Sequence, residues 1–122
     1  MSDEVLISKL YTCLEHIDAV SSYYLLLKQN SDSKKNDSAL YYDAIIMRLQ
    51  ALGESFKRLV KKYPNIQEQL NYQDLNHLIR FRDYISHHYE QIESEVIRDI
   101  CEHKPPVLKV KTEELITNLS KV

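Results

Sequence analysis

Glycine occurs once in this chain of 122 residues, proline three times, and tryptophan not at all. Tight β-hairpin turns draw heavily on glycine, so its scarcity argues against a hairpin-rich sheet and for long helices. Cysteine is nearly as rare. Cys13 and Cys101 stand far apart, each inside a helical apolar pattern, which reads as two free core thiols in a reducing compartment rather than a disulfide framework. Nor is there an excess of positive charge. Sixteen Lys and Arg against eighteen Asp and Glu give a formal net charge of -2, so any site for a polyanion must be a local patch. Apolar runs never approach the roughly 18 residues of a membrane span. The amino terminus, MSDEVLISKL, also lacks the basic-then-apolar order of a secretory leader. The expectation is a soluble, cytoplasmic protein with no membrane partner.

What is present is helical periodicity. A chain of this length fits one domain over residues 1–122. Ser2, Asp3 and Glu4 suit a helix start, and Leu6, Leu10, Cys13, Ile17, Val20 and Tyr24 then recur at three and four, predicting a first helix over about 3–28. The polar run 30–37 reads as a solvated loop. A second helix is expected from Asp37 or Ser38 to about Tyr63, carrying Ile45, Leu49, Leu52, Phe56, Leu59 and Val60 and stopped by Pro64. Gly53, the only glycine, falls in its interior at a cost of about 1 kcal/mol, which suggests that another backbone approaches closely there. Arg58, Lys61 and Lys62 gather at its C-terminal end, where the helix dipole favours cations and where phosphates could also be tracked. After a connector over 64–71, Asn71 with Asp74 resembles a capping pair for a third helix. Ile92, Val96 and Ile100 mark a fourth. Pro105 and Pro106 should break the chain, with Thr112 capping a short last helix. The fold class is therefore all-α, an antiparallel four-helix bundle with a short fifth helix.

The chemistry concentrates in Leu75 to Tyr89, LNHLIRFRDYISHHY. A helix of about 3.6 residues per turn puts Arg82 on the same stripe as Leu75, Leu78 and Ile85, a charge where a core residue is expected. Such a guanidinium requires an anion, a partner subunit or a solvent-filled groove. Arg82 and Tyr89 are about 20° apart in azimuth and about 10 Å apart along the axis, whereas His87 lies about 140° around from Arg82. Either the helix loosens near Ser86, or Arg and His meet through a second copy of the chain. An imidazole that exchanges protons near neutral pH and an arginine that holds phosphate suffice to cleave RNA without a metal. DNA, which lacks the 2′-hydroxyl nucleophile, would be spared.

The spacing Arg82-x-x-x-x-His87-x-Tyr89 resembles the signature of HEPN-domain toxins of the HepT group, which are encoded beside a minimal nucleotidyltransferase antitoxin of the MntA type. Ala44-Ile45 through Arg48 to Gly53-Glu54 also match, as does the Ile92, Val96 and Ile100 pattern before the double proline. Many relatives carry a tryptophan shortly before the motif helix, where Tyr72 is the nearest aromatic here. The resemblance implies a HEPN fold, a homodimer or higher oligomer, and a metal-independent ribonuclease toxin acting on tRNA or mRNA. Arg82 and His87 would be its catalytic pair in a cleft between protomers. It further implies silencing by AMPylation of Tyr89, with ATP and Mg used only by the antitoxin and no cofactor needed for cleavage. Asp83 is a candidate for orienting a catalytic side chain and His88 for a supporting role.

Other chemistries find less in the sequence. A metal site has no His-Glu-x-x-His or Cys-x-x-Cys, and Cys101-x-His103 is a poor ligand pair. A nucleophilic triad lacks a cysteine near the motif histidines. The rival from a different class is a non-catalytic HEPN accessory subunit that helps a nucleotidyltransferase partner bind nucleotide or substrate.

Overall fold

A computed structural model describes residues 2–29 and 35–121. The described chain is all-α: α1 (Ser2–Gln29), α2 (Lys35–Lys62), α3 (Ile66–Leu70), α4 (Leu75–His88) and α5 (Ser94–Ser120), with a 3-10 turn at Tyr89–Gln91 joining the last two. Among the described residues there is no strand, and no helix is long and apolar enough to cross a membrane. Much of the expected 30–37 loop lies outside the described residues; α2 is already helical at Lys35.

Cross-helix pairs fix the directions. His16 meets Arg48 between α1 and α2, Glu54 meets Arg82 and Asp43 meets Tyr89 between α2 and α4, and Asp18 meets Lys109 while Tyr24 meets Glu102 between α1 and α5. Between α2 and α4 and between α1 and α5 one number falls as the other rises, and Lys9 and Thr12 of α1 share a pocket with Arg58 and Lys62 of α2, beyond the His16–Arg48 contact, so all three helix pairs are antiparallel. The apolar faces meet in two clusters. One centres on Leu10, Cys13, Phe56, Ile66, Leu75 and Leu115, the other on Val20, Ile45, Leu49, Ile85, Ile97 and Cys101. Both cysteines are free and buried, and burial pushes each thiol up to about 12, so neither is a thiolate at neutral pH.

The carboxyl end corrects the expectation of a broken chain. α5 runs unbroken through Pro105 and Pro106, and the short helix of the fold is α3 instead. Ile97, Cys101, Pro105, Leu108, Thr112 and Leu115 recur at four, four, three, four and three, so one buried stripe continues across the prolines and its packing outweighs the lost backbone donors. Thr112 caps nothing. It is fully buried, and its hydroxyl donates back to the Leu108 carbonyl at 2.8 Å. The expected capping pair also takes another form: Asn71 ends α3 in the left-handed region (φ 53°), and Asp74 makes no side-chain cap on α4 but pairs with Lys104 at 2.5 Å.

Support for α4 is uneven. Against α2 it packs closely, whereas toward α5 it leaves a cavity of about 210 Å³ whose lining includes Leu78, Phe81, Ile100 and Leu108, with Tyr72 and the Asp74–Lys104 pair also bordering it.

Candidate functional site

Gly53 sets the position of the motif helix. A Cβ built there would lie 2.5 Å from Arg82 Cβ and 3.2 Å from the Leu78 carbonyl oxygen, so α4 crosses α2 at a distance only glycine allows. The close approach expected from the sequence is made by α4, and it presses the stem of Arg82 onto the α2 backbone.

The guanidinium on that stem is partly buried and held from two sides. Glu54 Oε2 lies 2.7 Å from Nη2, a close ion pair rather than an aligned hydrogen bond, and Nη1 donates to Asp83 Oδ1 at 2.9 Å. Asp83 also accepts from Lys57 at 3.2 Å, and Glu54 Oε1 accepts from Arg58 Nε at 3.2 Å. Hydrogen bonds from Arg82 and Lys57 hold the Asp83 carboxyl below its ordinary value. The charge on the apolar stripe is thus answered by anions of the same chain. Nε of Arg82 remains shielded from solvent without a hydrogen-bond partner among the described residues.

The helix does not loosen at Ser86. α4 leaves helical geometry only at His88 (φ -135°, ψ 28°), past His87, and Ser86 Oγ donates to the Arg82 carbonyl at 3.2 Å while accepting from Gln50 at 3.4 Å. His87 therefore diverges from Arg82, as five residues of regular helix require. Its ring is exposed and, among the described residues, makes a T-shaped contact with His88, centroids 6.4 Å apart. His88 leans on Tyr84 at 4.6 Å and its Nδ1 lies 3.1 Å from Gln91 Oε1, a more fastened arrangement than that of its neighbour. Tyr89, 47% exposed, donates its hydroxyl to Asp43 Oδ1 at 2.5 Å, and this bond raises the phenol above its ordinary value. Arg82 and Tyr89 thus both reach α2, at residues eleven apart or about 16 Å along its axis, while His87 faces away.

A family model described as Ribonuclease HepT-like matches residues 13–115. The chain belongs to the HepT-like ribonuclease family. Searches of curated proteins and of solved structures gave no match. The HepT-like match spans α1 to α5 and so takes in α2, which carries Glu54 and Asp43, as well as the motif helix. Lys57 and Asp43 are the contacts that sequence reading missed. Asp43, Gln50 and Glu54 lie seven and four residues apart, which places them on one face of α2, but only the register against α4 reveals what each one meets. Among the described residues no three His, Cys, Asp or Glu side chains gather closely enough to hold a metal ion.

Proposed function

We propose that this HepT-like chain is the toxin of a toxin-antitoxin pair, a metal-independent endoribonuclease whose cleft forms between two protomers. The carrying observation is the divergence of Arg82 and His87 on an unbroken α4, with Arg82 held in place and His87 free at the surface. One protomer's Arg82 would bind the scissile phosphate and its partner's His87 would take the 2′-hydroxyl proton. The ribose 2′-oxygen then attacks phosphorus, the 5′-oxygen leaves with a proton from the second imidazole or water, and a 2′,3′-cyclic phosphate results.

A dimer face is available beside the site. Leu40 and Met47, 65% and 72% exposed, lie with Ala44 and Ala51 on one stripe of α2 that continues to Glu54. A two-fold axis on this stripe presents each motif helix twice. Tyr89 is exposed, and a cognate nucleotidyltransferase using ATP and Mg would AMPylate it: the phenol oxygen would bond to the α-phosphorus as the α–β phosphoanhydride breaks and pyrophosphate leaves, with Asp43, which already accepts the phenol hydrogen bond, taking the proton. The added nucleotide would bring negative charge and bulk to the rim of the cleft and hinder the approach of RNA.

One observation favours the accessory-subunit reading: Glu54 and Asp83 already neutralise Arg82, so substrate phosphate must compete with both. Cleavage of total RNA by the purified chain with EDTA present decides between the two. Wild type should cut and leave cyclic phosphate ends, and His87→Ala should be slower by about 10² or more. Equal inertness of both proteins, with no effect of expression on growth, would support the accessory role. Tyr89→Phe should block AMP transfer, and label persisting in that variant would move the acceptor, with Tyr84 the next candidate.

A further inference from the structure

Between α1 and α2, away from the α4 contact, lies a pocket of about 200 Å³ lined by Lys9, Thr12, Ser55, Arg58, Leu59 and Lys62. Three of the six residues are cations, two carry hydroxyls, and none is acidic. The setting sharpens the contrast. Lys57, Arg58, Lys61 and Lys62 stand within the last two turns of α2, and Glu54 is the nearest acid on that helix. Lys57 is occupied by Asp83, and Glu54 serves Arg82 and Arg58 at once. Arg58 belongs to both groups, lining the pocket while its Nε donates to Glu54. The pocket residues of α2 begin beside Glu54 at Ser55 and extend to Lys62, about 12 Å along the axis from Glu54.

We infer that this pocket is a backbone-phosphate site that holds RNA one or more nucleotides away from the cleavage point, a track leading to Arg82 by way of Arg58. The inference rests on the ribonuclease reading for its ligand, but its chemistry is that of phosphate: ammonium and guanidinium charges for the anion, hydroxyl donors for its oxygens, and no aromatic side chain in the lining to stack a base. A track of this kind gains affinity with strand length and releases counterions on binding.

The test is equilibrium binding of single-stranded RNA oligonucleotides of increasing length, followed by fluorescence anisotropy across a salt series. The proteins compared are the full chain, the double variant Lys9→Gln/Lys62→Gln, and the charge-preserving Lys9→Arg/Lys62→Arg. The Gln pair should weaken binding of a long oligonucleotide about five- to twenty-fold at low salt and flatten the log–log salt dependence by about 1.4, at roughly 0.7 per phosphate contact. The Arg pair should restore both. Unchanged affinity and slope in a folded Gln pair overturn the track, as does a wild-type affinity that AMP or ATP saturates and length does not improve, which would mark a mononucleotide site. Cleavage assayed in parallel separates the two readings. RNA that is bound through Lys9 and Lys62 but never cut leaves the track standing and removes the ribonuclease, whereas RNA that is cut and bound equally by the Gln pair does the reverse.

Discussion

Arg82 is costly to place, and its surroundings show how the cost is met. Its stem takes the space that a side chain at position 53 would need, and its head reaches Glu54 and Asp83, so one residue joins a steric and an electrostatic requirement. The substitution Gly53→Ala should expose the steric half. Alanine gains about 1 kcal/mol of helix propensity, but a methyl 2.5 Å from Arg82 Cβ must push α4 outward, an overpacking cost of roughly 1–3 kcal/mol. The expected outcome is a lower urea midpoint and lost RNA cleavage; a protein more stable than wild type would show that α4 moves aside freely. Arg82, His87 and Tyr89 were all legible as candidates in the sequence, because a charge on an apolar stripe and the HepT-like spacing are local patterns. Glu54 as counter-ion and Asp43 as the phenol's partner were not, since a partner more than twenty residues distant depends on how two helices are set against each other.

Helices differ in how much of themselves they announce. The expected span of α1 matches the structure to within a residue or so at each end, because its apolar spacing is regular and its start is polar. α5 was misread at Pro105 and Pro106, where local preference and tertiary packing oppose each other. The buried stripe on both sides of the prolines holds the helix together in spite of two missing donors. Pro105 is itself part of the core, but Pro106 is exposed and contributes mainly its penalty. Pro106→Ala should therefore stabilise the fold by about 1–2 kcal/mol, the interior-proline cost being offset in part by a less restricted unfolded chain. A rise in thermal midpoint would confirm this, and a fall would show that the proline is required where it stands.

At the scale of the whole molecule, the apolar stripe of α2 and the motif face of α4 lie side by side, and the proposed chemistry needs both copies of each. Met47→Glu places like charges across any two-fold axis on that stripe, and dimer dissociation should be favoured by about 2 kcal/mol or more. Sedimentation should then show a monomer that is folded and inert toward RNA. A monomer that still cleaves would place Arg82 and His87 in one chain's site, and a persistent dimer would move the interface elsewhere. The cavity between α4 and α5 bears on how such a molecule can change over generations. α2 and α4 carry the motif residues, the exposed apolar stripe proposed for pairing and the glycine crossing, whereas α5 is joined chiefly to α1 and stands back from the motif helix. Substitutions that reshape the far wall of that gap need not disturb the register of Arg82 on Gly53. Such a chain has room to drift in its last helix while α2 and α4 stay fixed, and inheritance should leave its strictest record on those two.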